Sequence, residues 1–332
     1  ALDVPSGLDG DTGVAHGPVV HATATATFGG YKPGLLTAKG AAVAGRITVV
    51  GLGVPMDLLP PAAPATWIVE QADVAPAFAP RPPAAHKGTE GHLLIVAGSP
   101  GTLGAARLVA RGAHRAGAGL VTLAAPPAAA DALETTTVET MTARVASPDD
   151  LVARLSGKRA VVMGPGMGTD DAARERVRVV LASFEGPVVL DADALTILAR
   201  EPSLLTGSRV QPILTPHPGE AARLLGGAVA DVEADRFGAV RRLARERRAT
   251  VILKGPTTLV ASADGAVFVN GVFLNTASAG AVSSPAVGGA ALATGGTGDV
   301  LAGVLGALAC RLSPRDAACA AVYVHGRAAQ RW

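Results

Sequence analysis

The stretch Ala293-Thr-Gly-Gly-Thr-Gly-Asp-Val-Leu-Ala-Gly303 joins a glycine-rich turn to the start of an apolar helix. Glycine lets successive backbone N–H groups approach an anion closely, and a helix that begins near Gly298 adds the partial positive charge of its N-terminus. Asp299 would lie beside that anion, where a carboxylate binds phosphate poorly but can accept the proton of a hydroxyl group attacking phosphorus. The stretch therefore predicts a phosphoryl-transfer site, although a tight strand-to-helix turn without a ligand has the same composition.

Two more polar loops favour the ligand-binding interpretation. Lys254-Gly-Pro-Thr-Thr258 follows the apolar run Thr250-Val-Ile-Leu253, and Thr215-Pro-His-Pro-Gly-Glu220 follows Pro212-Ile-Leu214. Open α/β sheets bind ligands just beyond the carboxyl ends of their strands. Three such loops in one chain predict a nucleotide site, in which Lys254 would act as a point charge on phosphate.

Composition and charge narrow the class of protein. The chain has 332 residues, of which 49% are hydrophobic and only 3% aromatic, which indicates a globular protein with a core of Ala, Val and Leu. A net charge of +2 argues against nucleic acid or an anionic membrane as partner. Apolar runs are short, only two cysteines occur and no signal peptide opens the chain, so we expect no membrane span and a cytoplasmic location. Composition and charge leave open a homo-oligomer, in which the partner is a second copy of the chain.

Strand and helix patterns alternate from His92 onward. Buried-strand patterns cover 92–97, 120–124, 159–163 and 187–190, and helical patterns follow from Gly104 and from Asp170. This alternation predicts an α/β fold whose mostly parallel sheet has helices on both faces.

The first part of the chain has a different organisation. Strand-like runs at 22–27 and 46–50 supply too little for an independent core, so we expect residues 1–57 to be part of a domain rather than a whole one. Proline-rich stretches follow, and we interpret 58–86 as a stiff linker that leads into a domain at 87–332.

Six motifs after the linker form a specific combination: Lys87-Gly-Thr-Glu-Gly-His-Leu-Leu-Ile-Val-Ala-Gly-Ser99, Gly104-Ala-Ala, Gly164-Pro-Gly-Met-Gly168, Thr215-Pro-His-Pro-Gly-Glu220, Lys254-Gly255 and Gly295-Gly-Thr-Gly-Asp299. This combination resembles the ADP/ATP-dependent NAD(P)H-hydrate dehydratases, which have the ribokinase-like fold. Asp3-Val-Pro-Ser-Gly-Leu-Asp and Tyr31-Lys-Pro-Gly resemble the C-terminal part of the NAD(P)H-hydrate epimerase domain, which bacteria commonly fuse ahead of the dehydratase. The resemblance implies a nicotinamide cofactor repair enzyme that phosphorylates the ring hydroxyl of (6S)-hydrated NAD(P)H with ADP or ATP and then eliminates phosphate. We expect no epimerase activity from residues 1–57.

The resemblance also implies roles for individual residues, with Asp299 as the catalytic base. It places the following residues at the nucleotide: Lys254, Gly255, Pro256, Thr257, Thr258, Gly295, Gly296, Thr297 and Gly298. It places another group at the NAD(P)H hydrate: Ala105, Gly166, Gly168, His217 and Asp299, with Asp3 in the epimerase part. Mg²⁺ would be bound through water by Glu220, and K⁺ in a complete epimerase domain by Ser6.

Several residues keep a second interpretation. His217 is either a hydrate-binding residue or an ordinary loop histidine, and Glu220 is either a metal-site residue or a first-turn glutamate stabilised by the helix dipole. Asp191 and Asp193 fit a metal site or a helix N-cap, and we favour the N-cap. The six arginines of 236–248 indicate a solvated amphipathic helix rather than a nucleic-acid surface.

Two other functions stay open at this stage. One is a kinase of a small hydroxylated vitamin precursor or sugar, which would use Asp299 and the glycine-rich loop in the same way. The other is a nucleotide-binding module without turnover. Residues 271–286 form an insertion relative to the family pattern, and Val287-Gly-Gly-Ala290 replaces the usual Thr-Gly-Asn-Pro-like piece.

Overall fold

The computed structural model describes residues 1–54, 66–273, 275–277, 281–283 and 292–331. Its strands are β1 Ala24–Phe28, β2 Arg46–Val50, β3 Thr66–Val69, β4 His92–Val96, β5 Leu120–Ala125, β6 Met141–Arg144, β7 Ala160–Met163, β8 Gly186–Leu190, β9 Val210–Leu214, β10 Thr250–Leu253, β11 Leu259–Ala261, β12 Val267–Asn270, β13 Asn275–Ala277 and β14 Ala281–Ser283. Its helices are α1 Ala38–Ala44, α2 Gln71–Val74, α3 Leu103–Arg115, α4 Pro127–Glu134, α5 Pro148–Leu155, α6 Asp171–Ser183, α7 Asp193–Arg200, α8 Pro218–Leu225, α9 Val229–Ala234, α10 Arg236–Arg247, α11 Thr297–Ala309 and α12 Pro314–Gln330. Short 3₁₀ turns lie at Pro33–Leu36, Ala75–Phe78, Pro202–Leu205 and Gly271–Phe273.

One large sheet organises most of the chain. Within the described residues it has ten strands in the order β3-β12-β11-β10-β9-β8-β7-β4-β5-β6. The seven strands from β10 to β6 in this order pair in parallel, whereas β11 pairs antiparallel with both of its neighbours. The predicted mostly parallel sheet is confirmed, and the carboxyl ends of its parallel strands lie along one edge.

Helices cover both faces of this sheet because its buried strands are apolar on both sides. Leu93 and Ile95 of β4 pack with residues of α3, α4, α11 and α12. Leu94 and Val96, which point to the opposite face, belong to the apolar cluster that includes α5 to α10. The second face also carries Leu35 and Leu36 from the first part of the chain.

Glycines permit the close packing of α3 against α11, the helix that follows the glycine-rich loop. A Cβ atom at Gly112 would collide with the backbone of Val300, and one at Gly303 with the backbone of Val109. Larger residues at these two positions would push α11 away from α3 and move the loop with it.

Residues 1–54, hereafter the N-terminal segment, form a second sheet. Among the described residues its order is β1-β2-β14-β13, so it includes a hairpin from the predicted insertion 271–286. β14 pairs antiparallel with β2, with Val282 opposite Ile47. Backbone pairing to the N-terminal segment therefore gives this insertion a structural role that its sequence did not suggest. The adjacent 287–290 piece lies outside the described residues.

The predicted linker 58–86 needs a correction in its middle. Thr66–Val69 is β3, which pairs in parallel with β12 at the edge of the large sheet, and Arg241 of α10 donates a 2.7 Å hydrogen bond to Thr66. The prolines on both sides masked this strand in the sequence. Residues 66–69 are thus part of the large sheet, and the division of the chain into 1–57, 58–86 and 87–332 stays a prediction. None of the helices in the part of the chain described here is long and apolar enough to cross a lipid bilayer.

Candidate active site

The three predicted loops meet at the carboxyl edge of the large sheet. We call residues 295–299 the anion loop and 254–258 the nucleotide loop. A Cβ atom placed on Gly298 of the anion loop would lie 3.7 Å from Nζ of Lys254 and 3.9 Å from Oδ2 of Asp191, which follows β8. The edge of the sheet therefore assembles residues that are more than a hundred positions apart.

The anion loop leads directly into a helix N-terminus, as its sequence predicts. α11 begins at Thr297, and Gly296 before it has φ 90°, a left-handed conformation that glycine adopts readily. Thr297 donates its hydroxyl to the carbonyls of Leu292 at 2.8 Å and Thr294 at 2.9 Å, which closes the turn. Asp299 lies in the first turn of the helix, beside its free N–H groups.

Lys254 lies between two carboxylates. Its Nζ atom is 2.9 Å from Oδ1 of Asp191 and 3.8 Å from Oε2 of Glu220, and both acidic side chains are buried. Burial alone would lower the pKa of Lys254, but the charges of Asp191, Glu220 and Asp299 and the hydrogen bond to Asp191 raise it. Lys254 is therefore a charged, partly buried member of an ion cluster rather than an isolated point charge.

The carboxylate of Asp299 is in a different environment. Burial raises its pKa, and the negative charge of Asp191 raises it further, whereas Lys254 acts in the opposite direction. A carboxylate with a raised pKa is a stronger base than one in water. This electrostatic arrangement suits Asp299 for accepting a proton.

The predicted N-cap role of Asp191 and Asp193 is wrong. The N-cap position of α7 is Ala192, at φ 50°, and no side chain caps it. Oδ1 of Asp191 accepts hydrogen bonds from Lys254 and from the N–H of Ala192, and Oδ2 of Asp193 accepts a 2.9 Å bond from the N–H of Gly168. Local spacing suggested a cap, but the long-range partners determine where both carboxylates point.

His217 and Glu220 form a capping box at the start of α8. Nδ1 of His217 accepts the N–H of Gly219 at 3.0 Å and of Glu220 at 3.3 Å, and Glu220 accepts the N–H of His217 at 2.8 Å. The imidazole is half-exposed, while the Glu220 side chain is 8% exposed and faces Lys254. Nε2 of His217 lies 3.6 Å from Oε2 of Glu220, so the half-exposed imidazole is next to the carboxylate that faces Lys254.

The glycine loop after β7 is shaped by its neighbours. Gly166 has φ 60°, and its carbonyl accepts the hydroxyls of Thr102 at 2.7 Å and Ser99 at 2.9 Å. Gly168 has φ 84° and is held by Asp193. Ala105 lies in the first turn of α3, next to Thr102, and is partly exposed. The structure thus brings Ala105 and Gly166 to one part of the edge.

Arg236 supports the nucleotide loop and is buried, whereas the sequence predicts a solvated helix at 236–248. Arg236 is only 6% exposed, and its Nη2 atom donates to the carbonyls of Lys254 at 3.1 Å and Thr257 at 3.2 Å. Gly255, at φ 155°, is necessary here because a Cβ atom would lie 2.6 Å from that nitrogen. Pro256, which lies between Gly255 and Thr257, is exposed. The other five arginines of 236–248 are not buried, as an amphipathic helix requires.

Both threonines of the nucleotide loop donate their hydroxyls to backbone carbonyls of the chain. Thr258 donates to the carbonyl of Gly255 at 3.1 Å, and Thr257 donates to the carbonyl of Leu36 in the N-terminal segment at 2.8 Å.

His325 of α12 interacts with the backbone of Thr297 in the anion loop, which the sequence did not reveal. Burial lowers its pKa, and a hydrogen bond with the backbone of Thr297 opposes this effect.

Asp3 and Ser6 belong to the N-terminal segment and not to this edge. Asp3 has φ 64°, forms a 2.6 Å ion pair with Lys32 and accepts the N–H of Phe28 at 3.1 Å. Ser6 is exposed, and its carbonyl accepts the N–H of Val20. Their predicted roles toward hydrate and K⁺ stay predictions.

A metal ion would depend on the nucleotide for most of its ligands. The described residues contain no group of three or more His, Cys, Asp and Glu side chains arranged around one point. Asp191 and Glu220 are already paired with Lys254. This donor set fits Mg²⁺ bound through phosphate oxygens and water, which is how Mg²⁺ commonly binds at nucleotide sites.

Comparison with known proteins identifies the family of the chain. The sequence model of the NAD(P)H-hydrate dehydratase family matches residues 93–332, and a model described as YjeF-related protein N-terminus matches residues 1–34. A bifunctional NAD(P)H-hydrate repair enzyme of Coxiella burnetii is 40% identical over 332 residues, which are all of this chain and 64% of that protein. The chain spans about three fifths of the length of the curated relatives that it matches.

Solved structures show the same fold. The ADP/ATP-dependent NAD(P)H-hydrate dehydratase of Bacillus subtilis, co-crystallised with ATP and Mg²⁺, superposes with a TM-score of 0.67 at 31% identity, covering 80% of this chain and 89% of that one. A ribokinase-like superfamily protein of Enterococcus faecalis, at 23% identity, gives a TM-score of 0.65 over 79% of this chain and 86% of its own and supports the fold alone. By its matched residues and its ribokinase-like fold, the chain belongs to the NAD(P)H-hydrate dehydratase family.

Proposed function

We propose that this chain restores NAD(P)H from its hydrate by phosphorylating the ring hydroxyl with ADP or ATP and releasing phosphate. The observation that carries the proposal is Asp299, a partly buried carboxylate with a raised pKa in the first turn of a helix that opens on a glycine-rich loop. Anion-binding N–H groups and a base lie side by side there, which is what phosphoryl transfer to a hydroxyl requires.

The reaction has two stages. In the first, Asp299 accepts the hydroxyl proton while the hydroxyl oxygen bonds to the terminal phosphorus and the bond from that phosphorus to the bridging oxygen breaks. In the second, the lone pair of the ring nitrogen expels phosphate from the adjacent carbon, and loss of a proton from the next carbon restores the double bond. N–H groups of 295–298 stabilise the charge on the transferred phosphoryl group.

The remaining binding roles follow the same geometry. The nucleotide contacts Gly255 and Pro256, which are exposed on the nucleotide loop, together with the anion loop, and Lys254 adds positive charge below it. The hydrate lies between Ala105, Gly166 and the exposed side of His217, where it reaches Asp299. Gly168 shapes this pocket through its bond to Asp193.

Mg²⁺ would neutralise the phosphates at this edge, with Glu220 oriented toward its water ligands. K⁺ at Ser6 would require an epimerase pocket. Assembly into a homo-oligomer is part of the same proposal.

A kinase of a small hydroxylated vitamin precursor or sugar is the second candidate. The same Asp299 and anion loop would serve it, but the phosphorylated product would be stable. The half-exposed His217 at the edge favours the hydrate, because it offers a second polar contact for the nicotinamide amide or ring hydroxyl.

One assay separates these functions. The protein is incubated with hydrated NADH, ADP and Mg²⁺, and absorbance of reduced nicotinamide is followed together with release of phosphate and AMP. Recovery of NADH with stoichiometric AMP and phosphate is the expected result. In a parallel incubation with ATP and hydroxylated vitamin precursors or sugars, nucleotide consumption with a stable phosphorylated product would replace the dehydratase by the kinase. Nucleotide binding without turnover in either incubation would leave only a nucleotide-binding module.

A further inference from the structure

The nucleotide loop contacts the N-terminal segment as well as its own domain. The hydroxyl of Thr257 donates a 2.8 Å hydrogen bond to the carbonyl of Leu36, and 221 positions of sequence separate the two residues. Leu36 closes a 3₁₀ turn that precedes α1 and is 2% exposed. A hydrogen bond from a loop side chain to such a buried, regular turn fixes the loop to a rigid support.

Apolar packing and charge reinforce this attachment. Leu35 and Leu36 belong to the same apolar cluster as Phe237 and Val240 of α10, the helix that also provides Arg236. Burial lowers the pKa of Arg241, and the carboxylate of Asp11 in the N-terminal segment is among the charges acting on it. The N-terminal segment therefore shares one apolar cluster with the helix that supports the nucleotide loop.

A second connection joins the N-terminal segment to the inserted hairpin. β14 pairs with β2 of the N-terminal segment at Ala281–Thr48 and Val282–Ile47. The N-terminal segment thus contacts the nucleotide loop through Leu36 and the inserted hairpin through β2.

We propose that the N-terminal segment is a structural part of the nucleotide site, so that its packing and nucleotide binding are coupled. This inference rests on the proposed nucleotide binding. Thr257 acts as a positioning residue, because its hydroxyl is committed to Leu36 and holds the loop through that bond. By linkage, a nucleotide that orders the loop also stabilises the turn and helix at 33–44.

The test measures both directions of the coupling. ADP with Mg²⁺ is titrated calorimetrically into the whole chain and into Thr257→Val, which keeps the shape of the side chain and removes its hydroxyl. We expect the ADP dissociation constant to rise about 3- to 10-fold, the scale of one hydrogen bond. Thr257→Ser, which keeps the hydroxyl, should restore the affinity. Thr137→Val is the matched control, because its hydroxyl donates to the carbonyl of Leu133 away from the site.

Hydrogen exchange distinguishes coupling from a direct contact between Thr257 and nucleotide. Saturating ADP should slow exchange of the amides at 33–44 in the unaltered chain, and Thr257→Val should reduce this protection even when ADP is raised to saturation. ADP binding without any change at 33–44 would overturn the coupling and leave the proposed function intact. If the unaltered chain binds neither ADP nor ATP, the proposed function fails and the coupling fails with it.

Discussion

The nucleotide loop and the anion loop lie at one edge of the sheet but are held in place by different means. The nucleotide loop is fixed by long-range side-chain contacts: Arg236 below it, the carboxylate of Asp191 on Lys254 and the carbonyl of Leu36 on Thr257. The anion loop is shaped mainly by its own backbone, with Gly296 at φ 90° and Thr297 bonded to carbonyls a few positions earlier. A loop of the first kind depends on residues elsewhere in the chain, whereas a loop of the second kind is readable from its own sequence.

The largest effect should come from breaking the ion cluster of the nucleotide loop. Lys254→Met leaves the buried carboxylates of Asp191 and Glu220 without their cation, so we expect the free energy of unfolding to fall by about 3 kcal/mol or more. Urea unfolding monitored by circular dichroism measures this loss. Asp191→Asn combined with Lys254→Met should recover part of the stability, because the unpaired charge is removed. A single variant as stable as the unaltered chain would show that the cluster does not support the loop.

For the anion loop, the sharpest test concerns chemistry rather than stability. Asp299→Asn should reduce turnover by about 10²-fold or more, the usual effect of losing a positioned base, and leave ADP affinity nearly unchanged. The hydrate assay and calorimetry measure the two quantities. Asp149→Asn is a matched control, since it also lies in the first turn of a helix but at α5. Turnover close to normal in Asp299→Asn would remove this residue from the mechanism.

Arg236 tests whether the nucleotide loop is preorganised by its support. Arg236→Lys keeps the charge but loses the planar group that reaches the carbonyls of Lys254 and Thr257. We expect ADP affinity to fall about tenfold, on the scale of one hydrogen bond to a charged group. Arg242→Lys, an exposed position on the same helix, should leave affinity within about twofold. Equal affinities for all three proteins would mean that nucleotide binding does not need this support.

The sequence predicted what depends on local pattern. Strand and helix alternation gave the parallel sheet, and the glycines and Asp299 gave the anion loop, because these features repeat or turn within a few residues. Asp191 shows where such reasoning fails. Its spacing before α7 fits an N-cap, yet its partner Lys254 lies 63 positions away, and only the parallel pairing of β8, β9 and β10 brings the two together.

The sequence also did not indicate which polar residues are buried. Arg236 begins a helix with six arginines in its neighbourhood, and nothing in that pattern distinguishes the one that is buried under the nucleotide loop. β3 was hidden by prolines on both sides, and the pairing of the insertion with β2 has no local signal at all. The proposed roles of the site residues themselves stay predictions, which the variants above test.

The smallest expected effect is a shift in the pH dependence of turnover. It depends on Asp191, which contacts Lys254 of the nucleotide loop and acts on Asp299 of the anion loop. Burial and the charge of Asp191 hold the pKa of Asp299 above its ordinary value of 3.8, with Lys254 opposing. A base must be unprotonated to act, so turnover should fall as pH decreases through this raised pKa, at a higher pH than an exposed aspartate would give. Replacing Asp191 with Asn removes a negative charge, which makes deprotonation of Asp299 easier and should move the acid limb of the kcat profile to lower pH. The measurement is kcat against pH at saturating ADP and hydrate for both proteins, with Asp149→Asn as the control that leaves the limb in place. An acid limb that stays put or moves upward in Asp191→Asn would show that Asp191 does not act on the base, and that the two loops share an edge without sharing their electrostatics.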